Sequence, residues 1–198
     1  MTITELYNKL DDKDFQDHLT GHLFFPAYMY VYDPAKEYET DREILNIKER
    51  LHRPTNYLNV LVLDIFEEFL EFLHAQSFGK DSKFDFFLKQ EETRPDQVEK
   101  SLRQTANDDR FYAWLHQKIT DHFHKSGDAK VAYVFMKGFG AAFPYLRASK
   151  FMSNFEKHIS GYKLILFYPG EVKDNYRLFK VLNDENLYRA IKLINESK

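Results

Sequence analysis

The 198-residue sequence contains no cysteine. That excludes a disulfide framework, a thiolate zinc site and a catalytic thiol, and it fits a reducing compartment. Glycine and proline are scarce, at seven and six residues. They fall mostly between periodic segments, so no flexible linker divides the chain, and one domain over residues 1–198 is expected. No apolar run approaches the roughly 18 residues of a membrane helix. The opening MTITELYNKLDDKDF lacks a basic region followed by an apolar one, so no secretory signal is expected. Net positive charge is also missing. The formal charge is -3 and the pI near 6.2, which argues against a generally basic nucleic-acid binder.

Aromatics are abundant: 19 Phe and 13 Tyr make up most of a 17% aromatic content. Charge is polarised along the chain. Residues 1–100 carry 12 Lys+Arg against 21 Asp+Glu, while residues 101–198 carry 16 against 10. The opposite signs of the two halves make a homodimer plausible by electrostatic complementarity.

Thr2 and Glu5 have capping-box spacing ahead of the apolar stripe Leu6, Tyr7, Leu10. A turn around Gly21 and Pro26 precedes an aromatic, β-branched strand at residues 28–32. Asp33-Pro34 then reads as N-cap and first helical residue, before a helix with Ile44, Ile47 and Leu51 on one face. Residues 58–63 are nearly continuously apolar, as a strand buried on both faces should be. Asp64 caps a helix carrying Phe66, Phe69, Leu70 and Leu73. After mixed residues 80–95, Thr93 and Asp96 open a long helical stretch through Val98, Leu102, Tyr112, Leu115 and Ile119. Gly127 leads to a third strand, 131–135, ended by Lys137-Gly138-Phe139-Gly140. A helix with Ala148, Met152, Phe155 and Ile159 on one face follows and stops at Gly161. The fourth strand, 164–167, is terminated by Tyr168-Pro169-Gly170, and 178–182 can form a short fifth. Asn183 or Asp184 caps a last helix through Leu187, Ala190, Ile191 and Ile194. The predicted fold is α/β: a mostly parallel central sheet of four to five strands with helices on both faces. The layout is like that of P-loop NTPases, but without a Walker A motif.

Catalytic signatures are wanting. No G-x-x-x-x-G-K-[ST] cradle occurs, and the acidic, glycine-free Asp33-Pro34-Ala35-Lys36-Glu37 would repel phosphate. Gly138-Phe139-Gly140-Ala141-Ala142-Phe143 begins like G-x-G-x-x-G but has Phe143 at the third glycine; a tight turn needing permissive backbone accounts for it. His116, His122 and His124 lack the i, i+4 spacing of a helical metal pair. No G-x-S-x-G elbow is present. Asp33 and Asp64, at two strand ends, could meet as a carboxylate pair or hold a cation, but each is also explained as a helix cap. No enzymatic activity, cofactor or metal is therefore expected. Lys137, Arg147, Lys150, Lys157, Arg177, Lys180, Arg189 and Lys192 form a basic cluster around the last two strands. With Phe139, Tyr145 and Tyr168 to stack on bases, that cluster suits nucleic acid; it equally suits an acidic protein partner, or a solvated face.

The run Met136-Lys137-Gly138-Phe139-Gly140-Ala141-Ala142-Phe143-Pro144-Tyr145-Leu146-Arg147 resembles a strand, G-x-G, small pair, aromatic-Pro-aromatic-Leu-Arg pattern. Leu164 to Gly170, Arg177-Leu178-Phe179 and Asn186-Leu187-Tyr188-Arg189-Ala190 follow in matching order. Together they resemble the BrxB (DUF1788) family of BREX bacteriophage-exclusion systems. The resemblance implies a bacterial cytoplasmic defence factor. It would work beside a DNA methyltransferase, an AAA+ ATPase and PglZ, an alkaline-phosphatase-superfamily protein. It carries no catalytic residues over, and Lys137 departs from the small or hydroxyl residue of many relatives. The expected function is a non-catalytic assembly subunit, with the PglZ-type protein as first partner. Accessory nucleic-acid binding and a degenerate nucleotide site are the alternatives. The expected interface is Phe139, Phe143, Tyr145, Arg147, Tyr168 and Arg177, with Phe143 and Leu146 the readiest to be buried instead. Gly138, Gly140, Pro169 and Gly170 are the expected structural turns.

Overall fold

The computed structural model describes residues 2–16, 27–125, 132–172, 176–183 and 191–192. The first half runs α1 (Ile3–Asp11), α2 (Lys13–Gln16), β1 (Ala27–Tyr32), a 3-10 turn (Pro34–Lys36), α3 (Glu37–His52), β2 (Asn59–Asp64) and α4 (Ile65–Ala75). A small hairpin, β3 (Ser77–Phe78) and β4 (Asp81–Ser82), leads to α5 (Lys83–Glu91), α6 (Pro95–Ala106) and α7 (Asp109–Lys125). The remainder is β5 (Ala132–Lys137), α8 (Phe139–Ala142), α9 (Ala148–Phe155), a 3-10 turn (Glu156–His158), β6 (Lys163–Val172), β7 (Tyr176–Leu178), β8 (Leu182–Asn183) and β9 (Ile191–Lys192).

Five strands form a parallel sheet in the order β2-β5-β6-β1-β9; β7 pairs antiparallel with β6, and β8 with β7. Side chains alternate between two cores, as the two-residue period of a strand requires. On one face Ala27, Met29, Val134, Met136, Leu164 and Leu166 meet α4 to α9. On the other, Tyr28, Tyr30, Tyr32, Tyr133, Phe135 and Phe167 meet α1, α2 and α3. The second face is therefore an aromatic layer. Phe135 and Phe167 pack edge to face at 5.4 Å, Tyr30 meets Phe167 at 5.6 Å, and the Tyr133 hydroxyl donates to the Leu10 carbonyl at 3.0 Å. Trp114 lies in the other layer, half-buried against Phe72 and Phe111.

The predicted caps are present where the chemistry is local. Thr2 Oγ1 accepts the Glu5 N–H at 3.2 Å, and Glu5 Oε2 accepts the Thr2 N–H at 2.6 Å. Asp33 Oδ1 accepts the Ala35 N–H at 3.1 Å and starts the 3-10 turn that runs into α3. Asp64 Oδ1 takes the N–H groups of Phe66 and Glu67 at 3.0 and 3.4 Å.

Other expectations are corrected. The long helix from Thr93 breaks at Asn107, whose amide donates to the Arg103 carbonyl at 2.8 Å and competes with the helix ladder. Its first residue is Pro95, with Arg94 rather than Thr93 at the cap position. Ile159 falls beyond α9, after the 3-10 turn. The 178–182 strand is two short strands, β7 and β8. Ile191 is not helical: it lies in β9, opposite Tyr28 of β1, because a short apolar run fits either period and the open flank of β1 offers a ladder. Leu187, Ala190 and Ile194 lie outside the described residues, as do Asp184, Gly21, Pro26 and Gly127. Pro169 and Gly170 do not end β6. The strand runs through them, and there its pairing changes from parallel with β1 (Tyr32 opposite Pro169) to antiparallel with β7 (Gly170 opposite Leu178).

One buried carboxylate ties two helices of the first layer. Glu68 of α4 is buried, and Lys118 of α7 bonds it and Glu71 at 2.6 Å each. Burial raises the Glu68 carboxyl above its ordinary 4.5 despite the ammonium. Its charge thus works against folding at neutral pH, and that cost falls away on acidification. Lys118→Met strands the carboxylate and is expected to cost about 1–3 kcal/mol near neutral pH. The loss should shrink as pH falls toward 4.5, as urea midpoints at the two pH values would read.

Candidate functional site

Ligands and partners of parallel α/β sheets meet the carboxyl ends of the strands. Here those ends are closed by the chain's own residues. Lys137, the last residue of β5, stands opposite Asp64 of β2 in the ladder. Its ammonium bonds Asp41 of α3 at 2.8 Å and lies 3.3 Å from Asp64. Burial alone would lower the Lys137 ammonium, but the two carboxylates outweigh it and hold its pKa above the ordinary lysine value. The Lys180 ammonium sits 2.8 Å from Asp33, at the end of β1, and with the Ala35 N–H holds that carboxyl below its usual range. The Tyr32 hydroxyl donates to Glu37 at 2.6 Å; burial, reinforced by that carboxylate, pushes its pKa up.

The tip of the β7–β8 hairpin completes the closure. Phe179 and Lys180 adopt left-handed backbone, with φ of 52° and 64°, uncommon for residues other than glycine. The Phe179 N–H donates to the Pro169 carbonyl at 2.9 Å. Its ring lies so close over Gly140 that a Cβ there would stand 2.9 Å from it. Gly140 is thus a helical residue under an aromatic lid and not a turn with φ > 0. Gly138 is the turn: φ is 84°, and a Cβ would reach 2.0 Å from Asp64 Oδ1.

Two of the six expected interface residues are core. Tyr168 is 0% exposed and Phe139 1%. Strand alternation points Tyr168 inward, onto Tyr176 at 5.8 Å, and the α8 turn packs Phe139 on Phe151 at 5.5 Å. Arg177 is half-buried and bonds Glu171 at 2.9 Å. Phe143, Tyr145 and Arg147 do come together as a half-exposed surface segment between α8 and α9, with a cis Phe143–Pro144 peptide bond. Leu146 is the member of that segment that turns inward, at 2% exposed.

The Arg147 guanidinium lies 5.8 Å from the Phe143 ring centre, and among the described residues no carboxylate pairs with it. The Asn107 amide donates to the Tyr145 carbonyl at 3.2 Å and fixes this loop to the break between α6 and α7. Tyr112 and Asn154 extend the same network. Tyr145 also forms one wall of an open apolar groove of about 160 Å³, with Phe66, Phe84, Leu88 and Leu102 among its other walls. Neither Asn107 nor the groove was legible in the sequence, since both depend on packing between distant helices.

Half of the eight-residue basic cluster is spent on pairs within the molecule, and Arg189 and the Lys192 side chain lie outside the described residues. Lys137, Lys157, Arg177 and Lys180 pair with Asp41, Asp109, Glu171 and Asp33. Asp33 and Asp64 each hold a lysine and a helix start, so they do not form the carboxylate pair that the strand ends suggested. Among the described residues no group of three or more His, Asp or Glu could hold a metal ion, and no helix is long and apolar enough to cross a membrane.

No solved structure matches the chain. A curated relative from Bacillus cereus (strain H3081.97), described as BREX protein BrxB, is 28% identical over 204 aligned residues, covering 98% of this chain and 96% of its own length. The family model described as BREX protein BrxB matches residues 61–193, from within β2 through the Gly138 turn, the Arg147 segment and the β7–β8 hairpin. The chain belongs to the BrxB family and is a component of a BREX system.

Proposed function

We propose that the chain is a non-catalytic assembly subunit of its BREX system, docking on another component through the Phe143–Arg147 segment. The observation that carries this reading is the contrast between two surfaces. At the strand ends Lys137 and Lys180 are each met by carboxylates of the chain itself, and an aromatic lid covers Gly140. Arg147 instead presents an uncompensated guanidinium on a fixed loop, beside Phe143, Tyr145 and an apolar groove. Aromatics and arginine around a desolvated pocket are the usual anchors of protein interfaces.

The PglZ-type protein is the proposed first partner, with the AAA+ ATPase and the DNA methyltransferase next. Among the described residues the Arg147 side chain makes no hydrogen bond; only its backbone carbonyl, which accepts the Phe151 N–H at 2.9 Å, takes part in the fold. Arg147→Ala is therefore expected to leave the melting temperature unchanged within about 0.5 kcal/mol. It should weaken capture of the partner from cells carrying the whole system by about tenfold or more, as a hot-spot arginine does. An unchanged capture, or a stability loss that accounts for it, would remove Arg147 from the interface. A mobility shift of DNA at low salt would favour nucleic-acid binding instead. The P-loop-like layout is proposed as fold kinship only. The plugged strand ends lead us to expect no heat of ATP or GTP binding in calorimetry, with or without Mg²⁺.

A further inference from the structure

β2 is an outer strand of the sheet. β5 pairs one side of it, and among the described residues no strand pairs the other. Such an edge leaves N–H and C=O groups without ladder partners, and proteins commonly guard it with lysine, proline, a bulge or an inward charge. β2 reads Asn59-Val60-Leu61-Val62-Leu63-Asp64, and its register with β5 is unbroken over all six residues. None of those guards is present. Leu61 and Val62, at its middle, are only half-buried.

The two ends of this edge differ in charge. At the amino end, Lys48 lines a cleft of about 230 Å³ with His52, Asn59, Val60 and His122; burial lowers the His122 imidazole below its ordinary pKa, so Lys48 carries the positive charge. At the carboxyl end stand Asp64 and Asp41, which share the single ammonium of Lys137, and the exposed Glu67. A strand positive at one end and negative at the other complements itself when turned by half a revolution. A two-fold axis perpendicular to the sheet makes that turn and keeps each core layer on its own side. Centred on Leu61, it sets Val60 opposite Val62 of the second copy, and apolar cross-strand pairs of this kind stabilise antiparallel ladders.

We propose that β2 is a homodimerisation edge, where a second copy of the chain adds its own β2 in antiparallel register and makes one sheet continuous through both. This goes beyond the docking reading, which concerns a different surface and a different protein. Sedimentation and light scattering of the purified full chain at micromolar concentration are expected to give a dimer. Val62→Lys should leave it monomeric with its helical circular dichroism retained. The surface variant Lys48→Glu should weaken the dimer about tenfold, and raised salt should weaken the dimer of the unaltered chain, since Lys48 and Asp41 of the second copy share one layer across the axis. A monomer at every concentration would overturn the proposal. So would a dimer that Lys48→Glu and raised salt both leave unchanged. Partner capture through Arg147 is read separately: a monomeric chain that still captures its partner refutes the dimer alone.

Discussion

Gly138→Ala is expected to be among the most damaging single substitutions in this protein, at about 3–5 kcal/mol, a range reached only by special mechanisms. Two costs act together. A φ of 84° penalises any residue with a Cβ by about 1–2 kcal/mol. The added methyl would also stand 2.0 Å from Asp64 Oδ1, so the carboxylate must leave. Asp64 caps α4 through Phe66 and Glu67 and balances Lys137, and the loss of such a cap alone is worth about 1 kcal/mol. Gly79→Ala separates the two costs. Its φ is 67°, but nothing lies within 4 Å of the added Cβ. It should therefore lose only the backbone share, about 1–2 kcal/mol. Urea midpoints of the two variants give the comparison directly. Equal losses would mean that the contact between the Gly138 turn and Asp64 carries no weight.

Gly170→Ala is expected to be the second largest, and to act locally. Its φ is ordinary, so the cost comes from space alone: the Cβ would stand 2.2 Å from the Arg177 carbonyl oxygen and 2.8 Å from the Tyr168 ring. Backbone cannot give as a side-chain tip can. β7 must therefore move off β6, at about 1–3 kcal/mol or somewhat more. The hairpin tip moves with it, releasing Phe179 from Gly140 and Lys180 from Asp33. Amide exchange should rise across residues 176–183 and stay slow in β1 and β5. Uniform acceleration over the whole sheet would show that the hairpin is not a separate unit.

Local chemistry made parts of this fold legible in the sequence. Thr2, Asp33 and Asp64 announce helix starts because a cap is decided within three residues, and the Gly138 turn is visible because a strand must bend sharply into a helix there. The nearly continuous apolar runs of the central strands, alternating with helical segments, marked the parallel sheet. The candidate site was harder to read. Whether Tyr168 or Tyr145 faces solvent depends on which neighbour covers it, and Tyr168 is covered by Tyr176 across a hairpin. The charges misled in the same way. Lys137 and Lys180 read as a basic patch until folding brings Asp41 and Asp33 beside them. The two halves of opposite charge meet largely within one molecule, at the strand ends. The aromatic excess likewise resolves mostly into two packed layers, with Phe143 and Tyr145 among the rings left half-exposed and Tyr38, Tyr57 and Phe78 more exposed still.

Those two layers make the protein its own reporter. The single tryptophan, Trp114, belongs to the layer of α4 and α7, wedged between Phe72 and Phe111 with the Lys118 ammonium 5.1 Å from its ring. The opposite layer has no indole but is dense in phenols, Tyr28, Tyr30, Tyr32 and Tyr133. Indole fluorescence therefore watches one side of the sheet, while tyrosine near-ultraviolet dichroism reads both, since Tyr112, Tyr162, Tyr168 and Tyr176 are buried in the Trp114 layer. If both signals melt together, the sheet transmits disorder across its thickness. If they part, each side melts with its own helices, and a partner bound on one side could be followed without labelling either molecule.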